Sequence, residues 1–302
     1  MDAATIELTA VIAAVSGDEP RVLTLQGAEA LPSGPLESTH PTLQMGLRSW
    51  VERQTHHPLG YIEQLYTFAD RDRARGGSGG RIISICYLGL TREAAPPHGQ
   101  EGGSWQNWYR YFPWEDWRAG APRALPAMLR RLSAWAKAAP DAALRRERAR
   151  RVEAGFGDAG RWNEELVLQR YELLYEAGLV PEAGSDPAEA VPGVAMTLDH
   201  RRILATGIAR LRAKIKYRPV VFELMPPSFT LLQLQRTVEA LAGRRLHKQN
   251  FRRLIDQQGL VEETGEISTG TGGRPAKLFR FRREVLLERA AAGTKLPLAR
   301  SA

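Results

Sequence analysis

Between Thr230 and Phe281 the chain spells out an order of elements that few small folds accommodate. Gln233 follows Thr230 by three positions, a capping box: the threonine hydroxyl satisfies an orphan N–H of the first helical turn, and the glutamine reaches back. "TLLQLQRTVEAL" then puts Leu231, Leu234, Val238 and Leu241 on one stripe at helical spacing. "AGRR" is a tight break, "LHKQNFRRLIDQQG" reads as a second helix, and Gly259 ends it. In that second helix Phe251, Leu254 and Ile255 are expected to face inward. In "LVEETGEISTGTGGRPAKLFRF", two strand-like ends flank a glycine-rich tip, which predicts a β-hairpin. Two short helices, a glycine-containing turn and a hairpin follow the order of a winged helix-turn-helix, whose second helix enters the major groove.

The charge sits where that order needs it. Residues 241–283 carry ten Lys/Arg against four Asp/Glu, in a chain of net charge +8. A basic excess points to a polyanionic partner, and its location is more telling than its size. The candidate DNA contacts are Arg244, Arg245, His247, Lys248, Gln249, Asn250, Arg252 and Arg253, on and before the second helix. Gln249 and Asn250 have the amides that read adenine, and the arginines suit guanine or phosphate. Arg274 and Lys277 lie near the hairpin tip, where a wing meets phosphates or a minor groove. Thr230 stands at a helix start, where free amides favour a phosphate. The plainer reading is a small helical domain with a solvated basic face. Each piece alone is common; the ordered combination favours DNA.

The chain has 302 residues, room for two domains. Its hydrophobic share of 43% is that of an ordinary globular protein, and no run approaches the ~18 apolar residues of a membrane helix. The N-terminal text "MDAATIELTAVIAAVSGDEP" lacks a basic n-region and reads as a strand rather than a signal peptide. A single cysteine, Cys86, excludes an internal disulfide and a cysteine-rich zinc site. A cytoplasmic location is expected.

The first half alternates. Residues 4–15 and 21–26 read as strands around a Gly-Asp turn, 43–54 as a helix, and 59–70 and 81–90 as further strands. "WQNWYRYFPWEDW" (105–117) reads first as a packed sheet edge and turn, and second as a dimer interface or ligand platform. From Leu125 the period turns helical, over 125–138, 161–180 and about 198–219.

The stretch "GPLESTHPTLQMGLRSWVERQT" resembles a Nudix box that has lost its acids. With Arg48 on the signature arginine, Gly34 falls on the first glycine and Glu52 on the first glutamate of the Glu-Glu pair. His40, Ser49 and Arg53 replace the other three glutamates, and Thr55 replaces the second glycine. "IEQLYTFADRDR", "RIISICYLGL" and the C-terminal text are similar to the Nudix-related transcriptional regulators, the NrtR-like family. The resemblance spans most of the chain and is strongest at 220–283. It implies an α/β fold: a Nudix-like α/β/α sandwich at 1–145 with its degenerate box at 34–56. A helical connector (146–218), a winged helix (219–290) and a flexible tail (291–302) complete the expected organisation. It further implies a homodimer on a pseudo-palindromic operator and a nucleotide effector such as ADP-ribose, with Arg48, Glu52, Arg53, Asp70, Arg71 and Arg81 as effector-binding candidates.

Glutamates at positions 49 and 53 would share one helix face and converge on Mg²⁺, which demands hard oxygen ligands. Serine and a permanent cation cannot replace them. No catalytic residue, metal or required cofactor is expected. Arg48 and Glu52, spaced i and i+4, read as a surface pair or a loop tether. Arg53 can stand in for the metal's charge against a diphosphate, or be a residue on a solvated face. A Nudix-fold hydrolase with an atypical metal site is the alternative function. A third is a constitutive DNA-binding or scaffold protein whose first half only dimerises.

Overall fold

A computed structural model describes residues 4–70, 82–93, 102–157, 162–184, 186, 190–268 and 275–284. They form two units: Met1–Leu224 with Thr237–Arg245, and Met225–Arg236 with Leu246–Ala302.

The first unit is built on β1 (Thr5–Ser16), a long run of alternating β-branched and small residues. Along one edge β1 pairs in parallel with β5 (Ile82–Leu90). Along the other it pairs antiparallel with β3 (Ser33–Pro35), then with β2 (Glu19–Thr24). Gly17 and Asp18 join β1 to β2 with φ of 58° and 61°, as a two-residue hairpin turn with positive φ at both positions requires. β4 (Tyr61–Phe68) flanks β5 and β6 (Ser104–Asn107) flanks β2, giving the order β4-β5-β1-β2-β6 with β3 beside β1.

The pleat decides what each face receives. Leu8, Ala10 and Ile12 pack with Leu23, Tyr87 and with Leu47 and Val51 of α1 (Leu43–Thr55). Val11 points the other way, to Gly207 of α5 (His200–Lys214), where a Cβ would lie 2.8 Å from Val11 Cγ1. The three-layer α/β/α architecture is therefore present, and its second helical layer is α5. That differs from the expected partition, which placed α5 in a connector outside the sandwich. The connector text carries the stripe of Ile203, Leu204, Ile208 and Leu211, all buried, and a stripe of that size has to find a sheet or helix to cover it.

α2 (Leu125–Lys137) packs on α3 (Ala142–Phe156), α3 on α4 (Val167–Glu176), and α4 on α5. In the aromatic stretch only Ser104–Asn107 is strand; two 3-10 turns follow, and Trp108, Tyr109, Tyr111, Phe112 and Trp114 are buried. The sheet-edge reading holds. The five buried rings are core of this chain.

In the second unit Phe229 exchanges two backbone hydrogen bonds with Phe279 of β8 (Ala276–Phe281). α6 (Leu231–Ala242), α7 (Lys248–Gln258) and β7 (Val261–Ser268) complete the expected order, and β7 pairs antiparallel with β8. Helix α6 starts in this unit, and its residues from Thr237 are grouped with the first. One inward assignment is corrected: Phe251 and Ile255 are buried, but Leu254 is 51% exposed. At i+3 from Phe251 it falls on the flank of the stripe that i+4 follows.

The Gly207 contact predicts a steric limit. Gly207→Leu should lower stability by about 1–3 kcal/mol through overpacking against β1, read as a lower midpoint in denaturant. An unchanged midpoint would show that α5 does not seat on the sheet there.

Candidate functional site

Two surfaces carry the residues singled out by sequence, one in each unit. The first is a face of α1. Thr42 caps the helix, its Oγ1 accepting from Met45 N at 3.1 Å. At the other end His56 adopts the left-handed conformation, with its N–H bonded to Glu52 O. Met45, Arg48, Ser49, Glu52, Arg53 and His56 line an open cleft of about 620 Å³. Arg48, Glu52 and Arg53 are thus brought together, as the aligned box implies.

Their roles within the cleft differ. Arg48 donates to the carbonyls of Leu59 and Gly60, the latter at 2.9 Å. It tethers the loop that leads into β4, so the loop-tether reading describes it better than a pair with Glu52. Arg53 is half-exposed, lies 4.0 Å over the Trp50 ring and is 3.8 Å from Glu37. It is held loosely by stacking and by a long ion pair, so its charge remains available to a ligand. Glu52 is exposed and, among the described residues, is the one carboxylate lining the cleft. Among the described residues no three His, Cys, Asp or Glu side chains are grouped to hold a metal ion. Serine and arginine at the two positions that would converge on Mg²⁺ do not fit that ion.

Of the remaining effector candidates, Asp70 stands apart. Asp70 accepts from Arg202 at 2.5 Å, and Arg202 also donates to Glu172 at 2.7 Å. Asp70 does not line the cleft. Arg71 and Arg81 lie outside the described residues. Sequence reasoning missed Met45, Ser49 and His56 as lining residues, although the spacing 45, 49, 52, 56 puts them on one helical face.

Beside the end of α1, His57 is buried, stands edge-on to Trp105 at 5.5 Å, and has no partner for Nε2 among the described residues. Burial pushes its pKa below the ordinary histidine value; Glu93 opposes this and His56 adds to it. The unfolded chain therefore binds the proton more readily than the folded one. The stability this contributes is complete above the unfolded value of ~6.5 and is lost as pH falls towards the lower folded pKa. His57→Phe should flatten the acid-side loss in a melting-temperature series between pH 7 and 5. An identical profile in the variant would contradict the assignment.

The second surface belongs to the helix-turn-helix. Thr230 N donates to Gln233 Oε1 at 2.7 Å, and Gln233 N donates to Thr230 Oγ1 at 3.2 Å. Both halves of the capping box form, and they bury Thr230. On α7, Lys248, Gln249, Asn250, Arg252 and Arg253 are all exposed. Among the described residues none of the five engages its side chain in a hydrogen bond or ion pair. His247 caps the helix through its backbone alone.

The flanking cations differ. Arg245 pairs with Glu239 at 2.9 Å, and Lys277 donates to both oxygens of Glu263 at 2.8 and 2.9 Å. Arg244 donates to Trp162 O at 3.1 Å and lies 3.8 Å from Glu164, within the first unit. Like Arg245 and Lys277, it has partners within the protein. Arg274 lies outside the described residues.

Comparison with known proteins follows the same division. Residues 221–281 match the model of the NrtR DNA-binding winged helix domain. The "ADPR responsive transcriptional repressor NtrR" of Acinetobacter baylyi is 43% identical over 86 residues, 28% of this chain and 34% of that protein. The chain thus matches about a third of the length of that relative. The crystal structure of Shewanella oneidensis NrtR complexed with a 27mer DNA is 19% identical, with a TM-score of 0.56 over 93% of this chain and 94% of that one. A MutT/nudix family protein from Enterococcus faecalis has a TM-score of 0.52 at 13% identity, covering 93% of this chain and 88% of its own. At these identities the two structures speak for the fold: a Nudix-like domain with a C-terminal winged helix. No helix among the described residues is long and apolar enough to cross a membrane.

Proposed function

We propose that this NrtR-like chain, a Nudix-type fold followed by an NrtR winged helix, is a DNA-binding transcriptional regulator that answers to a nucleotide such as ADP-ribose. One observation carries the reading. Helix α7 presents Lys248, Gln249, Asn250, Arg252 and Arg253 together, exposed and, among the described residues, without side-chain partners. Uncommitted cations release counterions on meeting phosphate without first breaking an internal pair. The two amides between them have the geometry to read adenine edges. Arg245 and Lys277 would exchange carboxylate partners for phosphate, and Thr230 contributes through the helix start it caps. Two copies on a pseudo-palindromic site match the symmetry of helix-turn-helix dimers.

The nucleotide belongs to the α1 cleft in this reading. Arg53, stacked on Trp50, supplies the charge that a metal would supply in a hydrolase, and a diphosphate would be held without being cut. The name of the Acinetobacter relative, an ADPR-responsive repressor, supports that choice of ligand. The reading contains no hydrolytic step, because the box has no pair of carboxylates to hold magnesium.

Two variants test the two halves separately. Arg252→Ala should cost ~1–3 kcal/mol of DNA affinity; loss equal on every sequence with a shallower salt dependence would make Arg252 a phosphate contact, and no loss would contradict its role. Arg53→Ala should weaken ADP-ribose binding several-fold in a calorimetric titration. Unchanged affinity would remove Arg53 from the site, and release of phosphate-bearing products with Mg²⁺ or Mn²⁺ would restore the hydrolase.

A further inference from the structure

The turn that leads into α7 is gripped by side chains from distant parts of the first unit. The last carbonyls of a helix have no partners within it. At the end of α6, Tyr109 Oη donates to Ala240 O at 2.7 Å, and Arg212 Nε donates to Leu241 O at 2.8 Å. Trp117 N donates to Gly243 O at 2.7 Å. Gly243 has φ +69°, and a Cβ there would lie 2.3 Å from Glu115 O. Only a glycine meets both conditions.

The gripping groups are themselves immobilised. Arg212 Nη1 donates to Glu115 Oε2 at 2.7 Å, and Arg212 Nη2 to Tyr109 Oη at 3.2 Å. Arg170 holds the same carboxylate, Nε to Oε1 at 2.6 Å and Nη2 to Oε2 at 2.8 Å. Arg170 and Arg212 are fully buried, and Glu115 is 1% exposed. None of these side chains is placed to touch a ligand in the α1 cleft, and none is exposed to meet DNA.

We propose that Tyr109 and Arg212 are positioning residues for DNA binding: they hold the turn at 240–245 in the one geometry from which the recognition helix departs. The proposal rests on the DNA-binding reading above. A turn released from this grip samples several geometries, and apparent affinity falls with the fraction that remains competent. No phosphate contact is lost, so the salt dependence of binding stays that of the wild type. That separates a positioning residue from a contact residue, whose removal flattens the salt dependence.

The test uses the full chain and two variants, a mild one, Tyr109→Phe, which removes one hydroxyl, and a severe one, Gly243→Ala, which forces the turn off its geometry. Arg252→Ala serves as the contact control. Affinity for duplex DNA is measured across a salt series, and backbone hydrogen exchange at 240–246 is measured in the free protein. Both variants are expected to bind roughly tenfold more weakly, about 1.4 kcal/mol, with an unchanged salt slope and faster exchange in the turn. Wild-type affinity in both, or a shallower salt slope, overturns the proposal. A wild-type chain that binds no DNA sinks the functional reading and this proposal with it; undiminished binding in the variants sinks this proposal alone.

Discussion

The carboxylate of Glu115 is out of reach of water and survives there because two guanidiniums close on it. An unpaired carboxylate in such a place costs several kcal/mol, and removing one partner of a buried pair typically costs about 3–5 kcal/mol. Arg170 comes from α4 and Arg212 from α5, so a charge that must be neutralised fixes both helices against the aromatic turn that carries Glu115. Arg170 also lies 3.8 Å over the Trp162 ring, which closes the site from another side. Burial works against the charge of Arg212, but Tyr109 and Glu115 outweigh it and hold its pKa above the ordinary value. An arginine has more donors than one carboxylate can accept. Arg212 turns one of its remaining ones on the end of α6.

The α1 face is a second consequence of charge placement. The exposed face of α1 gathers Arg48, Ser49, Glu52 and Arg53. Leu47 and Val51, elsewhere on the helix, pack on β1 regardless of what faces solvent. Chemistry and architecture are thus separable on one helix.

Much of this was legible before any coordinates. The capping box at Thr230 and Gln233, the stripe of α5, the Gly17-Asp18 turn and the basic face of α7 all follow from spacing and residue type, and all are present. What was not legible has physical causes. Helix α3 is too uniformly charged to show a stripe, since "ALRRERARRVEAGF" buries little beyond Phe156. β3 and β6 are too short for a period to register. The role of α5 as a sandwich layer depends on Gly207 meeting Val11, and no local pattern announces a contact between residues so far apart. Arg244 donates to Trp162 O and Asp70 is bound by Arg202, partners that sequence could not place beside them.

The central claim is that one chain binds DNA through α7 and that a nucleotide on the first unit alters that binding. The most direct measurement is a fluorescence-anisotropy titration of the full chain on DNA from its own upstream region, at fixed salt, with and without ADP-ribose. The account predicts tight, sequence-selective binding whose midpoint the nucleotide shifts, and a shift that is lost in Arg53→Ala. Weak binding that is blind to sequence, or selective binding that no concentration of the nucleotide moves, would contradict it.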